Sequence, residues 1–355
     1  MFINNTLAIS GGVIIIHAGN IIFMKKTYII LAVIIAGFIG IFLVLFGISN
    51  APKTKTSAEP LRIGVNPWIG HGLYYVAKEE GFFEKEEITV EIVPVDDSGI
   101  GKQLIATNKI EALSFTPETV VILAGASIPM KAVAMTDASE GADGIIVSQD
   151  IKDIADLKGK SVAFEIGSPS HFFLSYLLDK RGLTTDDLTV VNTIAPDAGA
   201  AFVAGKVDAA VTWEPWLSKA SEREGGRLLA TSKETPILPA ILIFRTEVIQ
   251  KRPQDIQAVL RALFAAREWI LANQGEAVAI IAKNFGITDQ EVTEQLPTFR
   301  WFSYEDNVSE FTEGGYSAQN LIQTAGDLWL KLGLIKNKIN AKNLVDSSLI
   351  KNLYK

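Results

Sequence analysis

The sequence predicts an α/β protein of two lobes, preceded by one membrane-spanning helix. From residue 61 onward, short apolar runs alternate with amphipathic helical segments, which is typical of α/β folds. The alternation occurs in two similar series that meet at a polar, glycine-rich stretch. The chain has 355 residues, enough for two lobes, and a long apolar stretch lies near its start.

Residues 27–48 form that apolar stretch and are predicted to be a transmembrane anchor. About 20 apolar residues at about 1.5 Å each span a hydrocarbon core of about 30 Å, whereas the apolar part of a secretory signal has about 7–15 residues. A signal cleaved after Ala51 and a cytoplasmic domain on a membrane stalk are the alternatives. Residues 1–26 are predicted to be a cytoplasmic or leader segment in which Met24, before Lys25 and Lys26, is an alternative start. Residues 49–60 are predicted to be a linker.

The first strand–helix series is predicted to belong to one lobe. Its predicted strands are 61–65, 88–93, 112–115 and 132–135, and its predicted helices cover 72–80 and 103–107. A further helix is predicted after Thr116, an N-cap residue followed by Pro117 at the first helical position.

The second series is predicted to form the other lobe. Its predicted strands are 144–147, 161–164, 189–193 and 209–211, with helices at 169–180 and 197–205. A strand at 241–244 closes the pattern, and everything after Glu247 is predicted to be helical. We expect mostly parallel sheets, with residues 61–137 and 240–355 in lobe 1 and 138–239 in lobe 2.

Candidate ligand-binding residues follow several predicted strands. In open α/β sheets, ligands bind beyond the carboxyl ends of the strands. Trp68, Thr116 and Asp137 lie in such positions in the first series. Asp137 also opens the polar stretch 136–144, which is predicted to be a hinge crossing between the lobes because glycines absorb backbone rotation.

Two further candidate groups lie in the second series. Ser168, Ser170 and His171 stand at a predicted helix start, where hydroxyl and backbone N–H groups would bind an oxyanion; plain N-capping by Ser168 is the alternative. Trp213 and Glu214 follow the strand at 209–211 and would offer an aromatic wall and an acceptor for an amine. Core packing and a favourable charge at a helix start are the alternatives for this pair.

Composition excludes several classes of function. The chain has no cysteine, which removes disulfides, thiol catalysis and cysteine-ligated metals. With 33 basic and 40 acidic residues and no basic run, a nucleic-acid partner is not expected. No phosphate loop, dinucleotide fingerprint or nucleophile elbow occurs, and the two histidines after residue 60, His71 and His171, are too few for a histidine-based metal site without carboxylate help. We expect no enzyme activity, no cofactor and no metal.

Four segments resemble the nitrate/sulfonate/taurine group of ABC-transporter substrate-binding proteins. They are Ile-Gly-Val-Asn-Pro-Trp at 63–68, Ser-Glu-Gly-Ala-Asp-Gly at 139–144, Gly-Ser-Pro-Ser-His-Phe at 167–172 and Val-Asp-Ala-Ala-Val-Thr-Trp-Glu-Pro-Trp at 207–216. The resemblance implies a type II periplasmic-binding-protein fold, two lobes joined by a two-crossing hinge. It also implies a ligand in the cleft near Trp68, Thr116, Ser168, Ser170, Trp213 and Glu214.

The expected function is the extracytoplasmic solute-binding component of an ABC importer. The solute would be sulfonate- or taurine-like or a nitrogen-containing organic molecule, and the partners would be a permease, an ATPase and, through the N-terminal helix, the membrane. A monomer is expected. The family's lipid-anchor cysteine is missing here, and a transmembrane helix would replace it. A same-fold enzyme of menaquinone or thiamine-pyrimidine synthesis and a ligand-sensing ectodomain are the alternatives.

Overall fold

Two β-sheets organise the computed structural model, which describes residues 59–313 and 316–355. The predicted anchor at 27–48, with the leader and nearly all of the linker, lies outside the described residues. In the part that is described, no helix combines the length and apolarity needed to cross a membrane. The strands are β1 Leu61–Val65, β2 Val90–Pro94, β3 Ala112–Phe115, β4 Met130–Ser139, β5 Asp143–Ser148, β6 Ser161–Phe164, β7 Thr189–Asn192, β8 Ala209–Trp213, β9 Gly226–Thr231, β10 Pro239–Arg245 and β11 Phe299–Trp301.

The helices alternate with strands in the first part of the chain and dominate its last part. In order they are α1 Gly72–Glu79, α2 Phe82–Lys85, α3 Ser98–Ala106, α4 Pro117–Gly125, α5 Pro169–Asp179, α6 Ala195–Val203, α7 Trp216–Ser221, α8 Thr246–Lys251, α9 Pro253–Ala272, α10 Gln274–Phe285, α11 Asp289–Gln295, α12 Tyr304–Glu310, α13 Ala318–Lys331 and α14 Ser348–Lys351. Thr116 and Ser168 are the N-cap residues of α4 and α5, each followed by proline. The predicted starts of these two helices are therefore confirmed.

Both sheets are mixed, so the expectation of mostly parallel sheets was wrong. The first sheet has the order β11-β4-β10-β3-β1-β2 and the second β7-β6-β8-β5-β9. β1 is parallel to β2 and β3, and β6 is parallel to β7 and β8. β10 and β5 are antiparallel to both of their neighbours. These strands enter a sheet directly from the other sheet, without the crossover helix that parallel neighbours need.

The chain passes between the sheets twice, at residues 140–142 and 232–238. The stretch 136–144, predicted to be a hinge loop, is mostly strand: β4 continues to Ser139 and β5 begins at Asp143. Only the short turn between them is irregular, and Gly141 there has a φ of 124°.

Three elements differ from the predictions after residue 215. No element was predicted at β9 or α7, and β11 interrupts the region expected to be wholly helical. β11 has three residues and pairs with β4 through Trp301 and Asp137, which are far apart in the sequence. A strand this short has no recognisable periodicity of its own.

The core covers both faces of the first sheet and continues into the second. Helices α1, α9 and α10 pack on one face, around residues such as Tyr74, Leu263 and Ile281. A second cluster joins the other face to β6 and α5 through α13, whose Trp329 is fully buried. A smaller cluster around Phe202 covers the far face of the second sheet.

Candidate ligand site

A small cavity, of about 30 Å³ for a water-sized probe, lies between the two sheets, at the carboxyl ends of β1 and β3. Its lining combines aromatic rings with buried polar groups that strands of both sheets contribute. The lining residues are Asn66, Trp68, His71, Phe115, Thr116, Asp137, Ser139, Asp143, Pro169, Trp213, Leu238 and Ala240. Four of the eight predicted site residues are among them: Trp68, Thr116, Asp137 and Trp213.

Trp68 and Asp137 form a buried pair in the wall of the cavity. The indole Nε1 of Trp68 donates to Asp137 Oδ1 at 2.6 Å, and Thr136 Oγ1 donates to Oδ2 at 3.0 Å. Burial raises the pKa of Asp137 to about 7, although both hydrogen bonds oppose this shift. Gly70 permits the approach, because a Cβ there would lie 2.4 Å from Trp68 Nε1 and 2.6 Å from Asp137 Oδ1.

Asp143 contributes a second buried carboxyl group. It is the first residue of β5 and lies opposite Trp213 in the antiparallel pairing of β5 with β8. Burial raises its pKa to about 7, and the charges of Asp137, Glu118 and Glu214 raise it further, while the Ser139 hydroxyl opposes the shift. Two carboxyl groups that titrate near neutral pH therefore border one cavity.

Two of the lining residues also carry buried hydrogen-bonding atoms without a partner among the described residues. Trp213 is 6% exposed, and its indole Nε1 has no partner among the described residues. The buried Oδ1 of Asn66 is likewise unpaired within the described chain. Buried polar groups are normally satisfied, so a donor and an acceptor left open at one cavity indicate a place for a ligand or water.

Thr116 lines the cavity and forms a hydrogen bond with a buried glutamate, Glu118. Its Oγ1 donates to Glu118 Oε1 at 2.7 Å, so the hydroxyl does not cap the helix it precedes. Burial raises the pKa of Glu118, which is 0% exposed, and the positive charge of Lys102 opposes this. Lys102 itself donates from Nζ to Gly167 O at 3.1 Å, across the two sheets.

Ser168 and His171 are not among the residues that line the cavity. Ser168 Oγ donates to Glu165 O at 2.7 Å and accepts from His171 N at 3.3 Å, which is the N-capping alternative. The His171 ring lies between Phe164 and Trp329, with centroid distances of 5.2 and 4.9 Å. Burial lowers its pKa to about 4, so the ring is neutral at pH 7. The predicted contact of these two residues with an oxyanion stays a prediction.

Glu214 and Ser170 are also absent from the cavity lining. The Glu214 carboxylate accepts from Ser218 N at 3.1 Å and from Ser218 Oγ at 2.8 Å, which is the predicted alternative of a favourable charge at a helix start. The Ser170 hydroxyl is buried in α5 without a partner in the described part of the chain.

Sequence reasoning missed Asp143 and His71 as lining residues. Asp143 lay inside the predicted hinge, although an acid directly before the apolar run 144–147 was a usable signal. His71 Nε2 is 3.1 Å from Ser114 Oγ and Nδ1 is 3.2 Å from Asn66 O, and burial lowers its pKa to about 4. A neutral imidazole therefore lines the same cavity as the two carboxyl groups. Nothing in the local sequence distinguishes it from a surface histidine.

Two α/β sheets linked by two crossings, with a polar cavity between them, define a periplasmic-binding-protein-like fold. Solved structures support this class. The periplasmic aliphatic sulphonate binding protein SsuA from Escherichia coli superposes with a TM-score of 0.68 at 24% identity, covering 82% of this chain and 93% of that one. The periplasmic nitrate-binding protein NrtA from Synechocystis PCC 6803 gives 0.66 at 17% identity, covering 86% and 89%.

The chain belongs to the NMT1/THI5-like family, whose model matches residues 68–277. A relative from Bacillus subtilis (strain 168), named as an aliphatic sulfonates-binding protein, is 28% identical over 336 residues, which are 92% of this chain and 96% of the relative. The resemblance to this family that the four sequence segments indicated is thereby confirmed. These relatives are binding proteins rather than enzymes.

Proposed function

We propose that this protein is the extracytoplasmic solute-binding component of an ABC importer. It takes up one small sulfonate-like or nitrogen-containing solute in the cavity between its sheets. The observation that carries the proposal is the convergence of Trp68, Thr116, Asp137 and Trp213 on one cavity. Two indoles and several buried polar groups from separate elements can enclose a compact solute.

The proposal includes closure of two lobes, 61–137 with 240–355 and 138–239. The crossings at 140–142 and 232–238 would act as the hinge. A solute that contacts both lobes binds mainly the closed form and therefore shifts the population towards it. The interlobe contact between Lys102 and Gly167 supports the view that the structure represents this closed form.

The proposal also includes tethering by residues 27–48 and delivery to a permease driven by an ATPase. Their apolar composition and length support the anchor. The body would act outside the cytoplasmic membrane as a monomer and release its solute chemically unchanged. Mass spectrometry of recovered solute tests this last point, because a changed mass would indicate an enzyme.

A thermal-shift screen of the full-length chain in mild detergent tests the proposed function. The panel consists of alkyl sulfonates, nitrate, pyrimidines, flavins and one organic cation, benzamidine. A ligand at a hundredfold excess over its dissociation constant stabilises the folded state by about 2.7 kcal/mol. We expect at least one panel member to raise the melting temperature, and Trp213→Phe to reduce that shift. No shift across the panel, or a shift that the variant leaves intact, contradicts the proposal.

A further inference from the structure

Two carboxyl groups are the lining groups that can carry charge near neutral pH, because burial lowers the pKa of His71, the other titratable lining residue, to about 4. Asp137 and Asp143 are 1% and 6% exposed and both line it, and none of the described lining residues is Lys or Arg. Relatives named for sulfonate or nitrate bind anions, and an anion here would lie beside buried carboxyl groups with no cation to pair with it. Burying an unpaired charge beside a like charge is unfavourable.

The unpaired hydrogen-bonding atoms provide independent evidence that the cavity takes a ligand. The indole N–H of Trp213 is buried and unpartnered within the described chain, as is the Oδ1 of Asn66. Asn66 Oδ1 needs a donor, and the carboxylates of Asp137 and Asp143 also accept hydrogen bonds. An ionised carboxylate only accepts hydrogen bonds, so a solute that contacts Asp137 and Asp143 presents N–H groups to them.

We infer that the cleft selects a compact organic cation, such as an amidinium or aminated-ring solute, and that Asp137 and Asp143 are its charge-recognising residues. This inference rests on the proposed function and narrows its ligand class. The indole rings of Trp68 and Trp213 line the same cavity, and indole rings attract positive charge.

Other titratable groups around the pair do not reverse this preference. Those near the two carboxyl groups are His71, Tyr74, Glu118, Glu214, Tyr316 and Lys102. His71 is neutral at pH 7 because burial lowers its pKa to about 4. Lys102 donates to Gly167 O and interacts with Glu118 rather than with either cavity aspartate.

The sign of the pH dependence separates a cation site from an anion site. The pKa values of both aspartates are raised to about 7, so the site gains negative charge between pH 5.5 and pH 8. A permanently charged cation must then bind more tightly at pH 8, by up to about tenfold per pH unit for each proton released. A sulfonate must show the opposite trend.

Calorimetric titration of the full-length chain with benzamidine, benzamide and benzenesulfonate tests the inference. The three probes share one flat ring and differ in the charge of their head group. We expect benzamidine to bind most tightly at pH 8 and at least tenfold more weakly at pH 5.5. Asp143→Asn should weaken benzamidine binding by about tenfold to hundredfold, the range for a hydrogen bond to a charged group. Asp186→Asn, the same change at an exposed position, should leave binding unaltered.

The probe series keeps the test valid if a variant folds poorly, because it compares ligands on the unmodified protein. Benzenesulfonate binding more tightly than benzamidine at pH 8, with weaker binding in Trp213→Phe, would overturn the cation preference and leave the proposed function intact. Benzamidine binding unchanged in Asp143→Asn and Asp137→Asn, or no benzamidine binding at all, would also overturn it. The proposed function is tested separately by the thermal-shift screen, where the absence of any shift would contradict it.

Discussion

The backbone N–H of Ser98 donates to the carboxylate Oε1 of Glu165 at 2.9 Å, joining the first turn of α3 to the loop that follows β6. α3 belongs to the part of the chain around the first sheet and β6 to the second, so this bond links the two sheets beside the cavity. A carboxylate at the first turn of a helix is favoured by the helix dipole. Burial raises the pKa of Glu165, while the Ser98 N–H and the charge of Lys102 oppose the shift.

Glu165→Ala should open the cleft in the absence of solute. The variant loses a hydrogen bond to a charged group, worth about 1.5–3 kcal/mol, so the closed-to-open ratio should fall about tenfold or more. Glu165→Gln keeps an acceptor and should have a smaller effect. Spin labels at Ile100→Cys and Ile166→Cys, both 51% exposed, measure the opening in a chain that has no other cysteine.

The matched control for this measurement is Glu224→Ala, at an exposed position. Its label-to-label distance should match that of the unmodified protein. If Glu165→Ala gave the same distances as this control, the Ser98–Glu165 bond would have no part in closure.

Asp143→Asn should change how stability depends on pH. The pKa of Asp143 is about 7 in the folded protein, against about 3.9 for an unfolded aspartate. The folded state therefore holds a proton that the unfolded state has lost, and this contribution to stability disappears as the pH rises from about 4 through 7. Asparagine does not titrate, so the variant does not lose stability in this way. Its free energy of unfolding minus that of the unmodified protein should therefore rise with pH.

Urea unfolding at several pH values between 4.5 and 8 measures that difference. The slope of this stability difference against pH should reach at most about 1.4 kcal/mol per pH unit. His71 and His171, whose pKa values are lowered to about 4, act in the opposite direction, but they are present in both proteins and their effects cancel. A pH-independent difference would show that Asp143 titrates normally.

Gly70→Ala should destabilise the protein and disturb the cavity wall. The added Cβ would lie 2.4 Å from Trp68 Nε1 and 2.6 Å from Asp137 Oδ1, so it must separate the pair that these atoms form. Overpacking of this kind costs about 1–3 kcal/mol, which urea unfolding measures. Gly275→Ala in α10 is the control, because nothing lies within 4 Å of its Cβ position and alanine is the better helix former. Equal stability of the two variants would contradict the close approach at Gly70.

Trp329→Ala should be among the most destabilising single changes. The indole is fully buried and contacts the rings of His171 and Phe172, so it joins α13 to α5. Truncating a buried tryptophan costs about 3–5 kcal/mol. Trp329→Phe should cost less, since the indole Nε1 has no partner in the described chain to lose.

Leu334→Ala, at a position 42% exposed, is the control and should change the unfolding free energy by less than about 0.5 kcal/mol. A loss for Trp329→Ala no larger than that of this control would contradict the role of α13.

Local sequence patterns predicted the elements near the site well. Apolar runs bounded by Pro and Gly located β1, β3, β6 and the start of α5, because such signals depend on neighbouring residues. The rule that ligands bind beyond strand ends then selected Trp68, Thr116, Asp137 and Trp213, which the structure places on one cavity. Their contact with a solute remains a proposal.

The same reasoning could not decide which way a side chain points within its loop. His171 follows two serines at a helix start, as an anion-binding residue would, but it lies between Phe164 and Trp329. Trp329 comes from a helix more than a hundred residues away, and nothing near His171 indicates that it will be there. Glu214 is likewise engaged by Ser218, one helical turn later.

By itself the sequence determined the alternation of strands and helices and the absence of cysteine chemistry, because these depend on composition and local periodicity, while the resemblance of four short segments indicated the family. Only the tertiary structure decided that β5 and β10 run antiparallel to their neighbours, that Asp143 joins Asp137 at one cavity, and that Trp213 is left with an open N–H group. Those outcomes depend on pairings between strands that are distant in the sequence. They also depend on which buried polar groups find a hydrogen-bond partner in the folded chain and which do not. The preference of the cleft for positive charge follows from that assignment.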